Sequence, residues 1–160
     1  GEPPYETVLL EHGEELKVMP LRWMLEGVMK FASFRQAVNN YLQNSTAFIV
    51  EKGMHRCNLN GSQLRSHPLI LSPSGVPVLW YLDGIDPSQQ IEKRALNHTI
   101  TGIYISLDID EIVAPGFYKY SHNHIMPFAL IPKKKHTKKN LHAVLENMFD
   151  QFARMPDDGV

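Results

Sequence analysis

At 160 residues, with 43% apolar and 21% charged side chains, the chain has the length and composition of one folded domain and not of a disordered or fibrous segment. Its formal net charge is −1, so totals attract it to neither nucleic acid nor membrane, and any such affinity must come from charges gathered locally. The single cysteine, Cys57, excludes an intrachain disulfide and a cysteine-built zinc centre, and suits a reducing compartment.

The opening Gly-Glu-Pro-Pro has no initiator Met, which predicts a single domain over 1–160 taken from a larger protein. No basic-then-apolar leader and no apolar run of the roughly 18 residues needed for a membrane span is present. The expectation is a cytoplasmic, intracellular protein with no membrane partner. Asn-x-Ser/Thr triplets at Asn44, Asn60 and Asn97 read as accidental under that expectation.

In chain order, Tyr5–Leu10 and Leu16–Met19 read as short strands around a Glu11-His12-Gly13-Glu14 turn. Pro20 can open a helix, because its missing N–H needs no partner there. Leu21, Met24, Leu25, Val28 and Ala32 hold helical spacing, weakened at Gly27. Ser33 and Gln36 form a capping-box pattern. The region Pro20–Leu42 is therefore one bent helix or two helices meeting at Ser33.

Ala47-Phe48-Ile49-Val50 is β-prone and predicts a buried strand. The mixed stretch after it carries Lys52, Arg56 and Arg65. Leu69–Leu71 and Val76–Leu82, flanking Ser72-Pro73-Ser74-Gly75, predict a hairpin ended by Asp83-Gly84. Asp86-Pro87 starts a short helix to about Leu96. Ile103, Ile105 and Leu107 alternate as a half-buried strand. Ile125–Ile131 is another, with Pro127 confining it to an edge or a bulge. Thr137 caps a helix to Met155, whose apolar positions are Leu141, Val144, Leu145, Met148, Phe149 and Phe152. The fold class is α+β: one mixed or antiparallel sheet with helices over about 20–42 and 137–155 packed on it.

The chemistry-bearing feature is the segment Ile112–Leu145, which has no acidic residue. It holds Lys119, Lys133, Lys134, Lys135, Lys138 and Lys139, with His122, His124, His136 and His142. Five of those lysines crowd a helix N-terminus, already the positive end of the dipole, where each exposed cation costs up to roughly 1 kcal/mol. A phosphate would reverse that sign. The structural alternative is a solvated loop whose charge is met by Glu2, Glu6, Glu14 or Glu15. Tyr118, Tyr120, His122 and His124 alternate beside the lysines and, if extended, would share one face on which bases could stack.

Two further constellations are present. His122 and His124, with Asp108, Asp110 or His136, form a candidate metal set. Asp108 and Asp110, with Glu51, stand at predicted strand ends where carboxylates can hold magnesium, although Asp there also caps turns. The leading expectation is a non-catalytic nucleic-acid-binding accessory domain, needing no cofactor and joined to protein partners of its parent assembly. Its contacts would be Lys119, Lys133, Lys134, Lys135, Lys138, Lys139, Arg56, Arg65, Tyr118, Tyr120 and His124. One alternative is a divalent-metal-dependent phosphodiesterase or nuclease using Asp108, Asp110, His122 and His124. The other is an interaction module that docks an acidic protein.

Overall fold

The structure, a computed structural model, describes residues 3–49, 63, 66–72, 75–85 and 100–155. The expected helix after Asp86, and Glu51, Lys52, Arg56, Cys57 and Arg65, lie outside the described residues. The fold is α+β, with two antiparallel sheets where one was expected: a two-stranded sheet β1-β2 and a three-stranded sheet in the order β3-β4-β5. The chain forms two compact units, Gly1–Glu26 with Trp80–Ile105 and Met126–Val160, and Gly27–Leu79 with Ser106–Ile125.

In the first unit, β1 (Glu6–Leu9) and β2 (Glu15–Val18) pair from Glu6↔Val18 to Leu9↔Glu15, as their alternation predicts. The 3-10 turn Glu11–Gly13 joins them, with His12 at φ 61° and Gly13 at φ 72°. β4 (Ile100–Leu107) pairs with β5 (Met126–Pro132), and the register shifts by one residue beside Ile103 and Tyr104. Pro127 has no N–H for a ladder, and it sits at that bulge on the strand at the end of the sheet order. The Met19 N–H donates to the Phe128 carbonyl (2.9 Å), tying the hairpin's exit to β5.

α4 (Lys138–Arg154) packs against β1 and is capped as expected: Thr137 Oγ1 accepts from the Asn140 N–H at 3.1 Å. Its buried line is Asn140, Val144, Met148 and Gln151, while Phe149 is exposed. The helix is therefore turned from the expected apolar face, and two amide side chains are inside. Both are paired. Asn140 Oδ1 accepts from the Glu11 N–H (2.8 Å), and its Nδ2 donates to the Lys135 carbonyl (2.8 Å). Gln151 Oε1 accepts from the Leu21 N–H (2.6 Å), and its Nε2 donates to the Met19 carbonyl and Asn147 Oδ1. These bonds supply what buried amides require, and they satisfy the first N–H of the helix that starts at Leu21.

The region after Pro20 resolves as two helices, α1 (Leu21–Val28) and α2 (Ala32–Ile49). The break falls at 29–31, before Ser33, and the Arg35 guanidinium donates to the carbonyls of Met29 and Lys30 there. In the second unit α2 buries Phe34, Ala37, Tyr41 and Ser45 at helical spacing, and the strand expected from Ala47 to Val50 begins inside this helix. The backbone is helical through Ile49. A four-residue apolar run carries no period of its own, so the helix leading into it decides its form. The expected Leu69–Leu71 strand is also a helix, α3 (Pro68–Leu71), with Pro68 in its first turn and His67 Nδ1 accepting from the Leu69 N–H. Consequently there is no hairpin, and β3 runs over Val78–Ile85, through Asp83-Gly84.

Leu107, Ile109, Val113, Ala114 and Phe117 are also buried in the second unit. Among the described residues, no helix is long and apolar enough to cross a membrane.

Candidate functional site

The lysine segment lies wholly in the first unit. Lys133–Lys135 form a 3-10 turn, His136 and Thr137 follow, and Lys138 and Lys139 open α4. No acid stands in the helix's first turn, but one arrives from far away in sequence. The Thr137 hydroxyl donates to Glu11 Oε2 (2.8 Å), and Glu11 Oε1 lies 3.9 Å from Lys139 Nζ. Lys135 Nζ donates to the Glu15 carbonyl (3.2 Å) and is 3.8 Å from Glu14 Oε2. The hairpin turn thus places two carboxylates against the cationic segment. Such pairs on exposed groups contribute at most about 1 kcal/mol each.

This answers part of the charge that the sequence leaves open. The helix's positive end faces Glu11 of the same fold. Lys133, Lys134, Lys138 and Lys139 remain exposed along one turn and one helix start, while Lys135 is half-buried.

Lys119 is not part of that group. It lies in the second unit, where its Nζ donates at 2.7 Å to both Asp108 Oδ1 and Asp110 Oδ1, with its side chain 11% exposed. Burial pulls the ammonium's pKa down, but hydrogen bonds and charge from the two aspartates outweigh it, and the net shift is upward. Ser106 Oγ donates to the Lys119 carbonyl (2.7 Å), holding the backbone beneath the pair. The Asp-x-Asp alternation does bring both carboxylates together, and the cation they meet is a lysine.

Residues 117–125 are turns, not an extended strand: the Ser121 N–H bonds the Tyr118 carbonyl, and the His124 and Ile125 N–H groups bond that of Ser121. The expected common face is therefore absent. His124 is buried, stacked on Phe117 (centroids 4.2 Å, 19°) and edge-on to Phe34, with Nδ1 2.7 Å from the Tyr118 carbonyl. It is a core histidine. His122 is exposed, as are Tyr118 and Tyr120. Among the described residues no three His, Cys, Asp or Glu side chains come together as a metal set, so Asp108, Asp110, His122 and His124 are not assembled into one. His136 instead lies 3.3 Å from Thr101 Oγ1.

The two tyrosines border an open depression of about 340 Å³, lined also by Ile109, Asp110, Glu111 and Phe117. The Glu111 carboxylate, first as a hydrogen-bond acceptor and then through its charge, raises the pKa of the Tyr118 phenol.

Glu11, Asn140, Gln151 and Glu111 were not singled out from the sequence. A first turn crowded with lysines and lacking any acid signals that a carboxylate comes from elsewhere. Asn140 and Gln151 share helical spacing with Val144 and Met148, which marks them as inside. In comparisons with known proteins, no family model, no curated protein and no solved structure matches the chain.

Proposed function

We propose that this chain is a non-catalytic, intracellular nucleic-acid-binding domain whose contact surface is the segment 133–139. The observation that carries the reading is the joint exposure of Lys133, Lys134, Lys138 and Lys139 on a single turn and helix start. Ammonium groups so arranged can approach successive phosphates, Lys139 in exchange for its contact with Glu11. The contact is made by the lysine side chains and not by the helix amides, because Glu11 already stands at that end. Tyr118 and Tyr120 fall outside the contact, since Asp110 and Glu111 line the same depression and repel phosphate.

The test is binding to labelled single- and double-stranded oligonucleotides followed by fluorescence anisotropy, beside a poly-glutamate arm of equal charge. Binding of the oligonucleotides, with a logarithmic salt slope near about −3.6 on duplex for four phosphates, supports the reading. Binding of poly-glutamate alone overturns it and favours an acidic protein partner. The metal-dependent phosphodiesterase reading has less support, because the lysine that holds both aspartates would have to leave before a metal could enter.

A further inference from the structure

We infer that the side of the β3-β4-β5 sheet carrying Tyr104 and Tyr81 is a stacking surface for the bases of a single-stranded nucleic acid whose phosphates lie on the 133–139 segment. The inference rests on the function proposed above and deepens it: unpaired bases are held, and not phosphates alone.

The register decides which side chains share that side. Gly102 pairs with Leu130, and Tyr104 with Pro127 at the bulge, so these four residues face the same way. The opposite side carries Ile103, Ile105 and Ile131, each 0% exposed. Leu130 is 47% exposed and Pro127 is exposed as well, so the sheet buries one side and opens the other.

Two rings lie on the open side. Tyr104 and Tyr81 stack, with centroids 5.4 Å apart and planes at 28°. The end of the Tyr104 ring occupies the space that a side chain on Gly102 would need, so the ring leans along β4 toward the Ile100–Pro132 pair. A glycine inside a strand marks such a close approach. Both tyrosines are half-buried: the sheet holds the pair and leaves part of it in reach of a ligand. Every base has a face that such rings can take, which is how aromatic sheet surfaces bind unpaired strands.

Charge then selects the polymer. β5 ends at Pro132, opposite Ile100, and Lys133 follows at once. From Gly102 to that end of the sheet is two residues, roughly 7 Å. His136 Nδ1 lies 3.3 Å from Thr101 Oγ1, so the cationic segment folds onto the strand that carries Tyr104. Asp83 belongs to β3, on the other side of β4 from β5. Burial first, and then the Asp83 charge, raise the Tyr104 phenol's pKa, which puts that acid close to the ring. An acid on one flank and lysines beyond the other orient the ligand, with bases over the rings and phosphates on the β5 side. A duplex gains little here, because its bases are already stacked on one another.

The experiment measures, by fluorescence anisotropy, binding of the full chain to an unstructured single-stranded DNA and to an abasic strand with the same number of phosphates. The strand with bases should bind at least about fivefold more tightly, and with the same logarithmic salt slope, since the phosphate contacts are shared. Tyr104→Leu should remove that advantage and leave abasic binding unchanged, which also shows that the variant is folded. Leu130→Ser alters an exposed side chain beside the ring and should reduce the advantage. Equal binding of the two strands by the parent chain overturns the inference and leaves the lysine segment as the whole contact. An advantage that survives in both variants puts the bases elsewhere and also overturns it. Binding of neither strand refutes the lysine reading, and the stacking surface falls with it.

Discussion

The Thr137 hydroxyl donates to the Glu11 carboxylate at 2.8 Å, across 126 positions of sequence, and so brings an acid to the N-terminal end of α4. That carboxylate offsets the lysines that crowd the helix start and also competes with any external anion for them. Glu11→Gln is expected to lower stability by about 1 kcal/mol in urea unfolding, through the lost charge at the helix dipole and the weaker hydrogen bond. The same variant should bind oligonucleotide more tightly than the parent, because the competitor is gone. Unchanged stability together with unchanged binding would show that this contact carries nothing.

Gln151 joins α4 to the chain entering α1 with two hydrogen bonds, from the Leu21 N–H and to the Met19 carbonyl, and a third stays within α4, to Asn147. Gln151→Leu keeps most of the volume but strands the Leu21 N–H and the Met19 carbonyl. A loss of about 2–3 kcal/mol is expected, the cost of leaving buried polar groups unpaired. Exposed Gln43, on α2, is the control; its change to Leu should fall within about 0.5 kcal/mol.

Lys119→Met removes the ammonium group that donates to both Asp108 and Asp110. The expected loss is about 3 kcal/mol at neutral pH. The alkaline response gives the sign of the linkage. Lys119 has a raised pKa in the fold, so its contribution is complete below its unfolded value and disappears as pH rises through the folded one. The phenol of Tyr104, raised by burial and then by Asp83, also favours its protonated form in the fold, and it too loses stability with alkali. Subtracting the pH dependence of the Lys119→Met variant from that of the parent isolates the lysine. The difference should shrink only above about pH 10.4. A difference that shrinks between pH 6 and 9 would refute the assignment.

His12 holds a left-handed conformation, φ 61°, in the turn that presents Glu11. An L side chain there costs roughly 1–2 kcal/mol, less the entropy that a glycine would lose. His12→Gly should raise the unfolding free energy by about 0.5–1 kcal/mol, because glycine adopts the left-handed conformation without the steric cost. A lower melting temperature would show that the ring has a stabilising contact.

Features carried by several consecutive residues were legible in the sequence. The Glu11–Gly13 turn between paired strands, the Thr137 cap, the helix through Arg154 and the bulged strand at Pro127 all follow from local pattern. Short apolar runs were not: Ala47–Ile49 and Leu69–Leu71 take their form from a preceding helix and from a proline, and both are helical. The site was legible in composition but not in pairing. Nothing local to Lys119 tells that it folds between Asp108 and Asp110, and nothing local to Thr137 tells that Glu11 meets it. Both pairings are set by tertiary structure. The α4 stripe shows the same limit, because apolar positions alone pointed past Asn140 and Gln151, whose partners lie in the N-terminal segment.

The central claim is that exposed lysines of the 133–139 segment hold phosphate. The most direct measurement is the salt dependence of duplex binding by the variant Lys134→Gln/Lys138→Gln/Lys139→Gln beside the parent chain. The three contacts removed should flatten the logarithmic slope by about 2.7, with affinity falling at low salt. Parallel lines of equal affinity would contradict the account, because the phosphates would then be held somewhere else.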